Sequence, residues 1–401
     1  MIAIIAQYTS DFQSEENGRF TEIAKYLNKI DNVELITSSF SHSLKQKKVC
    51  KIQPTEYKLT LIDAPSYKKN ISLQRLRSCK IFAKNIKSYL NKSKDIKLIY
   101  CAVPSLDVGK VAINFCRRKK IPMILDIQDL WPDAFYMVFD LPIVSRVLFF
   151  PLKVMADNIY RNANNIVTVS NTYLDRATRQ LSHNVKNSLV AYLGTSLKNF
   201  DQFSDGITKD NSKDLITIAY IGTLSYSYDI NLVIHAIRNV QQNSNFKIKF
   251  LVMGDGPLKE RFYLEAQRCS IQAIFTGKLS YPEMVRQLVS ADIAVNPIVR
   301  KSAGSIINKV GDYAAAGLPV INSQECMEYR ELVKEYECGI NCENGNIEDF
   351  TKALFWLISH PAEREKMGIN ARKMAEKLFD RDQSYQEIQE FVRKIYESSD
   401  N

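Results

Sequence analysis

Two doubly wound α/β domains in tandem, each a parallel sheet covered by helices, are what this 401-residue sequence predicts. Three observations carry the prediction. Short apolar runs alternate with helix-period segments along almost the whole chain. The runs are apolar at successive positions rather than at every other one, as strands buried on both faces require. The alternation stops once, at the polar stretch DQFSDGITKDNSKD (201–214), and then starts again.

The opening MIAIIAQY reads as a strand rather than a leader, because no basic segment precedes the apolar run and polar sequence follows it directly. Phe20, Ile23, Ala24, Leu27 and Ile30 then share one helical face, and VELITS (33–38) completes a strand–crossover–strand unit. KLTLID (58–63), KLIYCAV (97–103), PMILDI (122–127) and NIVTVS (165–170) continue the series, with helices expected near 72–93 and 106–119. Beyond the polar stretch, LITIAYIG (215–222), FKIKFLVMG (246–254), QAIFTG (272–277), ADIAVNP (291–297) and GLPVIN (317–322) read as strands, each followed by a helix. Residues 361–397 read as helical throughout, starting at Pro361, whose missing N–H is no loss in a first turn. The expected organisation is therefore a domain at 1–200, a second at 201–380, and a terminal helix, 381–401, packing back toward the first. In such a plan ligands sit at the carboxyl ends of the strands, in the cleft between the domains. Several classes of nucleotide-binding protein share the outline, so function has to come from the site.

Charge is unevenly placed. Residues 1–200 carry 30 Lys+Arg against 16 Asp+Glu, a net of +14, whereas residues 201–401 carry 24 against 28, a net of −4. A basic half suits an anionic partner: nucleic acid, an anionic membrane face or a phosphate-bearing substrate; a lysine-rich solvated surface accounts for it equally well. No nucleic-acid motif appears, so nucleic acid is not an expected partner. The cysteines (Cys50, Cys79, Cys101, Cys116, Cys269, Cys326, Cys338, Cys342) are scattered without a CxxC pair, and His42, His183, His235 and His360 have no metal-ligand spacing. Buried thiols in a reducing cytosol, and no metal or cofactor, are the expectation. The most apolar stretch, 134–156, is interrupted by Asp140, Pro142, Arg146, Pro151 and Lys153. A spanning helix needs about 20 nearly uncharged apolar residues, so this is not one. Its Phe135, Tyr136, Phe139, Leu148, Phe149 and Phe150 suit either core helices or a face lying in a membrane surface.

The segment richest in chemistry is SAGSIINKVGDYAAAGLPVIN (302–322). Gly304 and Ser305 make a flexible turn, Asn308 is placed to cap, and a small-residue helix follows. Such a turn would point backbone N–H groups outward at a helix N-terminus, where the dipole favours a phosphate, with Lys309 adding a cation. One turn deeper, Asp312 could accept hydrogen bonds from a sugar diol; an ordinary helix with a capping carboxylate is the alternative. In the first half, LDIQDLWPDAF (125–135) puts Asp126 and Asp129 at the carboxyl edge of a strand.

The run NKVGDYAAAGLPVI resembles the signature of the retaining family 4 glycosyltransferases, which have the GT-B fold: two Rossmann-like domains facing an interdomain cleft. YIGTLSYSYD (220–229), MGDGP (253–257) and FTGKLSYPEM (275–284) resemble the family's other donor-domain loops in the right order. LDIQDLWPDAF, with GRFTEIAKYL (18–27), ITSSFSH (36–42) and YCAVPSL (100–106), resembles a branch acting in capsule and O-antigen assembly.

The resemblance implies an acceptor-binding first domain and a donor-binding second one. Sugar would pass from a nucleotide diphosphate sugar, UDP-linked for preference, to a lipid-linked or glycan acceptor, with retention and without metal. Gly222, Thr223, Gly254, Gly277, Lys278, Lys301, Gly304, Ser305, Asn308 and Asp312 would bind the donor, and Lys309 and Asp129 would act in catalysis. Of the family's two glutamates, Asp312 stands in the ribose-contacting position and Gly304 in the sugar-contacting one. The usual Arg and Lys of the first loop are missing, so Lys301, Lys309 or Arg300 would supply the charge that grips the diphosphate. Where many relatives have a histidine after the first domain's strand, Gln128 stands beside Asp129. The enzyme is expected in the cytoplasm, peripheral to the inner membrane face. A nucleotide-sugar-binding scaffold without activity, and a glycoside hydrolase built on Asp126 and Asp129, are the rival readings.

Overall fold

The computed structural model describes residues 1–9, 12, 18–48, 54–70, 72–136, 142–207, 215–302 and 304–398. Cys50, Phe139, Asp140 and the polar residues 208–214 lie outside them. The chain forms two compact units, Met1–Tyr192 with Gln383–Asn401, and Leu193–Asp382.

The first unit is built on β1 (Ile2–Ile5), β2 (Val33–Ser38), β3 (Lys58–Ile62), β4 (Leu98–Val103), β5 (Met123–Ile127), β6 (Asn165–Thr168) and β7 (Asn187–Val190). They pair in the order β3-β2-β1-β4-β5-β6-β7, every neighbour parallel. Alternate residues of one strand feed opposite faces, as the two-residue period dictates. Ala3, Ile5, Cys101 and Leu125 enter one core, under the helices Leu73–Lys92, Leu106–Lys119 and Pro142–Arg161. Ile2, Ile4, Tyr100 and Ile124 enter the other, under the helix Arg19–Leu27. The C-terminal helix Arg381–Glu397 closes this second core with Tyr385, Ile388, Val392 and Ile395. Asp31 fastens it, accepting from the Tyr396 hydroxyl and, at 2.6 Å, from the Met1 ammonium.

The second unit repeats the plan with β8 (Leu215–Ile221), β9 (Lys247–Met253), β10 (Gln272–Gly277), β11 (Ile293–Asn296), β12 (Val320–Asn322) and β13 (Gly339–Asn341). Their order is β10-β9-β8-β11-β12-β13, again parallel. The strand order of each sheet reverses once, between β1 and β4 and between β8 and β11, with all strands still parallel, and the carboxyl ends beside such a reversal are where this architecture leaves room for ligands.

Three expectations change. The division falls at Leu193 rather than near residue 200, and part of the expected linker is helix, Leu197–Ser204. Leu197 and Phe200 bury that helix, and Arg372 grips both carboxylate oxygens of Asp201 at 2.7 and 2.8 Å. The tail is two helices, Pro361–Met374 and Arg381–Glu397, joined by one π-type turn at Ala375–Phe379. There the Thr195 backbone accepts from Arg381 N–H and donates to the Phe379 carbonyl, both at 2.9 Å, so those groups serve a bridge instead of a continuous helix. Finally, β7 and β13 are short edge strands whose sequences, NSLV and GIN, are half polar and gave no apolar run to read.

Candidate functional site

In the second unit, β8 and β9 are followed directly by Gly222 and Gly254, and β10 ends at Gly277. Gly222 has φ +130°, and a Cβ on Gly254 would stand 1.8 Å from the Gly222 carbonyl oxygen, so only glycines allow these two loops to touch. The result is a bare backbone ledge beside the β8/β11 reversal. Thr223 is exposed on it, its carbonyl held by the Tyr220 hydroxyl at 2.9 Å, and Lys278 is exposed beside Gly277.

Beneath the ledge stands Lys309, first residue of the helix Lys309–Ala315. Only 8% of it is exposed, and its Nζ has no hydrogen-bond partner. The ammonium sits over the faces of Tyr220 and Tyr228, 4.0 and 3.9 Å from their centroids, and 2.8 Å from where a Gly222 Cβ would be. Burial without a counter-charge drives its pKa well below the usual lysine value. The helix is pinned by Tyr313, whose hydroxyl donates to the Val295 carbonyl at 3.1 Å and accepts from Ile221 N–H at 2.9 Å.

Asp312 lies one turn on. Its Oδ1 accepts from the Tyr281 hydroxyl at 2.8 Å, and Thr195 also bonds it. Burial raises its pKa to about 6, against the opposing pull of these hydroxyls and of Arg381.

Other expectations for this segment are corrected. Two amides of the expected anion cradle are used internally, Val310 N–H on the Ile307 carbonyl at 3.2 Å and Gly311 N–H on that of Asn308 at 3.1 Å. Asn308 occupies the cap position without a side-chain cap bond, because its backbone is already helical (φ −55°, ψ −38°). Gly304 is exposed, whereas Ser305 is buried with its carbonyl taken by Gln324 at 2.7 Å. Arg300 is engaged with Glu325 at 3.2 Å, and Lys301, exposed with φ +60°, donates its N–H to the same carboxylate at 3.2 Å. Of the three cations expected to supply charge, Lys309 alone is placed under the glycine ledge.

In the first unit the β1/β4 reversal is closed by Ser105 donating to the Gln7 side chain. Asp126, fully buried, is held by Arg19 at 3.3 Å, by the Tyr100 hydroxyl at 2.8 Å and by Gln128 at 2.6 Å. Such a carboxylate is a structural tie, which removes the acid–base pair that the hydrolase reading needs. Asp129 is half-buried; loss of solvent raises its pKa, opposed by the Leu130 backbone, the Trp131 side chain and the charge of Arg75. A proton-accepting role is better served by a carboxylate of raised pKa. The short helix Asp133–Tyr136 begins four residues on, so Asp129 is not its cap.

Sequence spacing missed several neighbours. Arg75 lies over the rings of Tyr8 and Tyr67, with its charge reaching Asp129, and the helix-separated His235, Glu265 and Cys269 bring one possible metal donor each within 4.8 Å of one another. The first three sit just past strands or at a helix start, a positional signal without a motif. The last three pair among themselves, Glu265 with His235 at 3.6 Å and with Cys269 at 3.9 Å. Among the described residues no helix is long and apolar enough to cross a membrane.

Residues 204–374 match the family model described as Glycosyl transferases group 1. A curated relative, the D-rhamnosyltransferase WbpZ of Pseudomonas aeruginosa, is 24% identical over 161 residues, covering 40% of this chain and 40% of the relative. The matched region thus spans well under two thirds of that relative's length. Among solved structures, sucrose-phosphate synthase from Thermosynechococcus elongatus aligns with a TM-score of 0.73 at 15% identity, over 99% of each chain. Anabaena HepE, solved with UDP, aligns with a TM-score of 0.70 at 14% identity, over 98% of this chain and 99% of its own. The chain has the GT-B fold, with two parallel-sheet α/β domains of seven and six strands.

Proposed function

We propose that the protein is a retaining glycosyltransferase of family 4 type. It moves a hexosyl or N-acetylaminosugar unit from a nucleotide diphosphate sugar, UDP-linked for preference, to a lipid-linked or glycan acceptor in capsule or O-antigen assembly. The observation that carries this reading is Lys309: a buried, unpartnered ammonium under a ledge of backbone too close-packed for any side chain. Burying a cation without a partner is costly, and such a cost persists where a ligand's opposite charge removes it. A diphosphate resting on Gly222 and Thr223 supplies that charge.

The chemistry follows. The bond from the sugar's anomeric carbon to the diphosphate oxygen breaks, and Lys309 stabilises the negative charge growing on the leaving group. The acceptor hydroxyl forms its bond to the same carbon on the same face, and its proton passes to a phosphate oxygen or to Asp129. Asp312 is assigned to the ribose diol, which would exchange for the Tyr281 and Thr195 hydroxyls that it holds here. No step requires a metal.

The names of the relatives, a rhamnosyltransferase and a UDP complex among them, support this class of reaction. Peripheral contact with the anionic inner membrane face is supported by the helix Pro142–Arg161, which exposes Val147, Phe150 and Val154 along one stripe with Leu148 adjacent, beside Arg146 and Lys153. An inactive nucleotide-sugar scaffold is the second reading, favoured by Gly304 in place of the sugar-contacting glutamate. Incubation with a panel of UDP-, GDP- and ADP-sugars separates them. Release of free UDP, stimulated by an acceptor fraction, supports the transferase, and binding of donors without any release supports the scaffold.

A further inference from the structure

The N-terminal sheet carries, at its own β1/β4 reversal, a cationic cluster that the donor site does not explain. Arg75, in the first turn of the helix Leu73–Lys92, lies 4.4 Å from the Trp131 ring centroid, 5.2 Å from that of Tyr8 and 6.0 Å from that of Tyr67. Its hydrogen bonds go to the Tyr8 hydroxyl at 3.2 Å and the Asn70 carbonyl at 2.8 Å. Asn70 also joins it to Lys45, whose ammonium donates to the Asn70 side-chain oxygen at 2.5 Å and stands 4.9 Å over the Tyr67 ring. His42 closes the circuit, 3.4 Å from the Lys45 ammonium and bonded to the Tyr67 hydroxyl.

Two features make this more than a basic surface. The aromatic rings hold the guanidinium rigidly and screen it, so its charge is preorganised. Among the described residues, neither Arg75 nor Lys45 is within ion-pair distance of a carboxylate. The strain of like charges is visible on the neighbours: burial first, then Arg75 and Lys45, lower the His42 pKa to about 4, and burial with Arg75 lowers that of Lys45. His42 is therefore neutral at pH 7, able to donate or accept a hydrogen bond without adding charge.

We propose that Arg75 and Lys45, with Tyr8, Tyr67 and His42, form a second anion site that binds the phosphate of a phosphate-bearing acceptor. The ligand is taken for the acceptor on the strength of the glycosyltransferase reading; the anion site itself stands on the cluster. A planar guanidinium suits the paired oxygens of a phosphate, and the ammonium adds a movable point charge. Asp129, within electrostatic reach of Arg75, is then the carboxylate beside which the acceptor's hydroxyl is delivered.

Trp131 gives a local reporter, because the protein's other tryptophan, Trp356, is replaceable by Phe. Trp131 fluorescence of the full-length Trp356→Phe protein is titrated with inorganic pyrophosphate, farnesyl diphosphate, glucose 1-phosphate and glucuronate, in saturating UDP. The expected result is a saturable change with the phosphate compounds. A tighter response to farnesyl diphosphate identifies a lipid-linked source, and a tighter response to glucose 1-phosphate a soluble one. Arg75→Gln and Lys45→Gln should each weaken binding at least tenfold, with Arg75→Lys intermediate. Lys45→Gln, at a half-exposed position, keeps the test open should Arg75→Gln not fold. No saturable change, equal binding in the Gln variants, or preference for glucuronate overturns the proposal. UDP binding is measured on the same samples by calorimetry. UDP that binds while Trp131 stays silent sinks this inference alone, whereas failure of UDP to bind sinks the donor-site reading and leaves this one standing.

Discussion

Lys309 sits where an apolar residue of the same reach would be cheaper, since its ammonium has rings on two sides and no partner. Lys309→Met should therefore stabilise the unliganded protein by on the order of 1–3 kcal/mol, read as a higher urea midpoint, while removing the stabilisation that UDP gives. Asp312 makes a prediction of opposite chemistry. Its pKa is raised from 3.8 to about 6, so the folded state holds the proton more tightly than the unfolded one. The carboxyl contributes no penalty below about pH 4, and stability falls as pH rises through the interval to about 6, by on the order of 2–3 kcal/mol. Urea midpoints of Asp312→Asn and the parent, compared at pH 4 and pH 7, should differ by that amount in their pH slopes; parallel slopes would show the carboxyl to be ordinary. Both residues were legible in the sequence as members of one segment, because a lysine three positions before a carboxylate shares its helical face. Their partners were not. Tyr220 and Tyr228 come from the β8 end and the loop after it, Tyr281 from the start of another helix and Thr195 from the segment after β7, and no local pattern ties them to Lys309 and Asp312.

At the scale of elements, the glycine ledge depends on a backbone approach that no side chain permits. Gly254→Ala should cost about 1–3 kcal/mol and abolish UDP binding, because its Cβ meets the Gly222 carbonyl. Gly206→Ala, where nothing lies within 4 Å, should cost only the left-handed backbone term, about 1–2 kcal/mol, and leave UDP binding intact. Equal loss in both variants would deny the ledge its role. Long amphipathic helices were read within a residue or so: 72–93 is Leu73–Lys92 and 106–119 is Leu106–Lys119. Their apolar periodicity is set by local burial against one sheet. The polar stretch expected as linker from residue 201 begins inside the helix Leu197–Ser204, because Asp201 is held by a partner distant in sequence, Arg372 on the helix Pro361–Met374. Edge strands β7 and β13 escaped for a related reason, since one neighbour suffices to hold a half-polar strand that has no continuous apolar run.

Over the whole molecule, the two-sheet plan was plain in the sequence, because each sheet needs a full set of buried strands and the sequence interrupts them once. The first unit is nonetheless discontinuous: its second core is completed by Tyr385, Ile388, Val392 and Ile395, nearly 200 residues from β7. Ending the chain before Gln383 should therefore unfold the first unit, seen as loss of near-UV circular dichroism and exposure to protease, rather than trim a mobile tail. The basic half is where Arg75, Lys45 and the exposed stripe of the helix Pro142–Arg161 lie, so the charge asymmetry read from composition falls on the unit for which phosphate and membrane contact are proposed. Whether Lys309 holds a diphosphate is read by calorimetric titration of the protein and of Lys309→Met with UDP and with uridine. UDP should bind the parent at least a hundredfold more tightly than uridine, and the substitution should remove most of this difference. Equal affinities for UDP and uridine in the parent, or a difference untouched by Lys309→Met, would contradict that role.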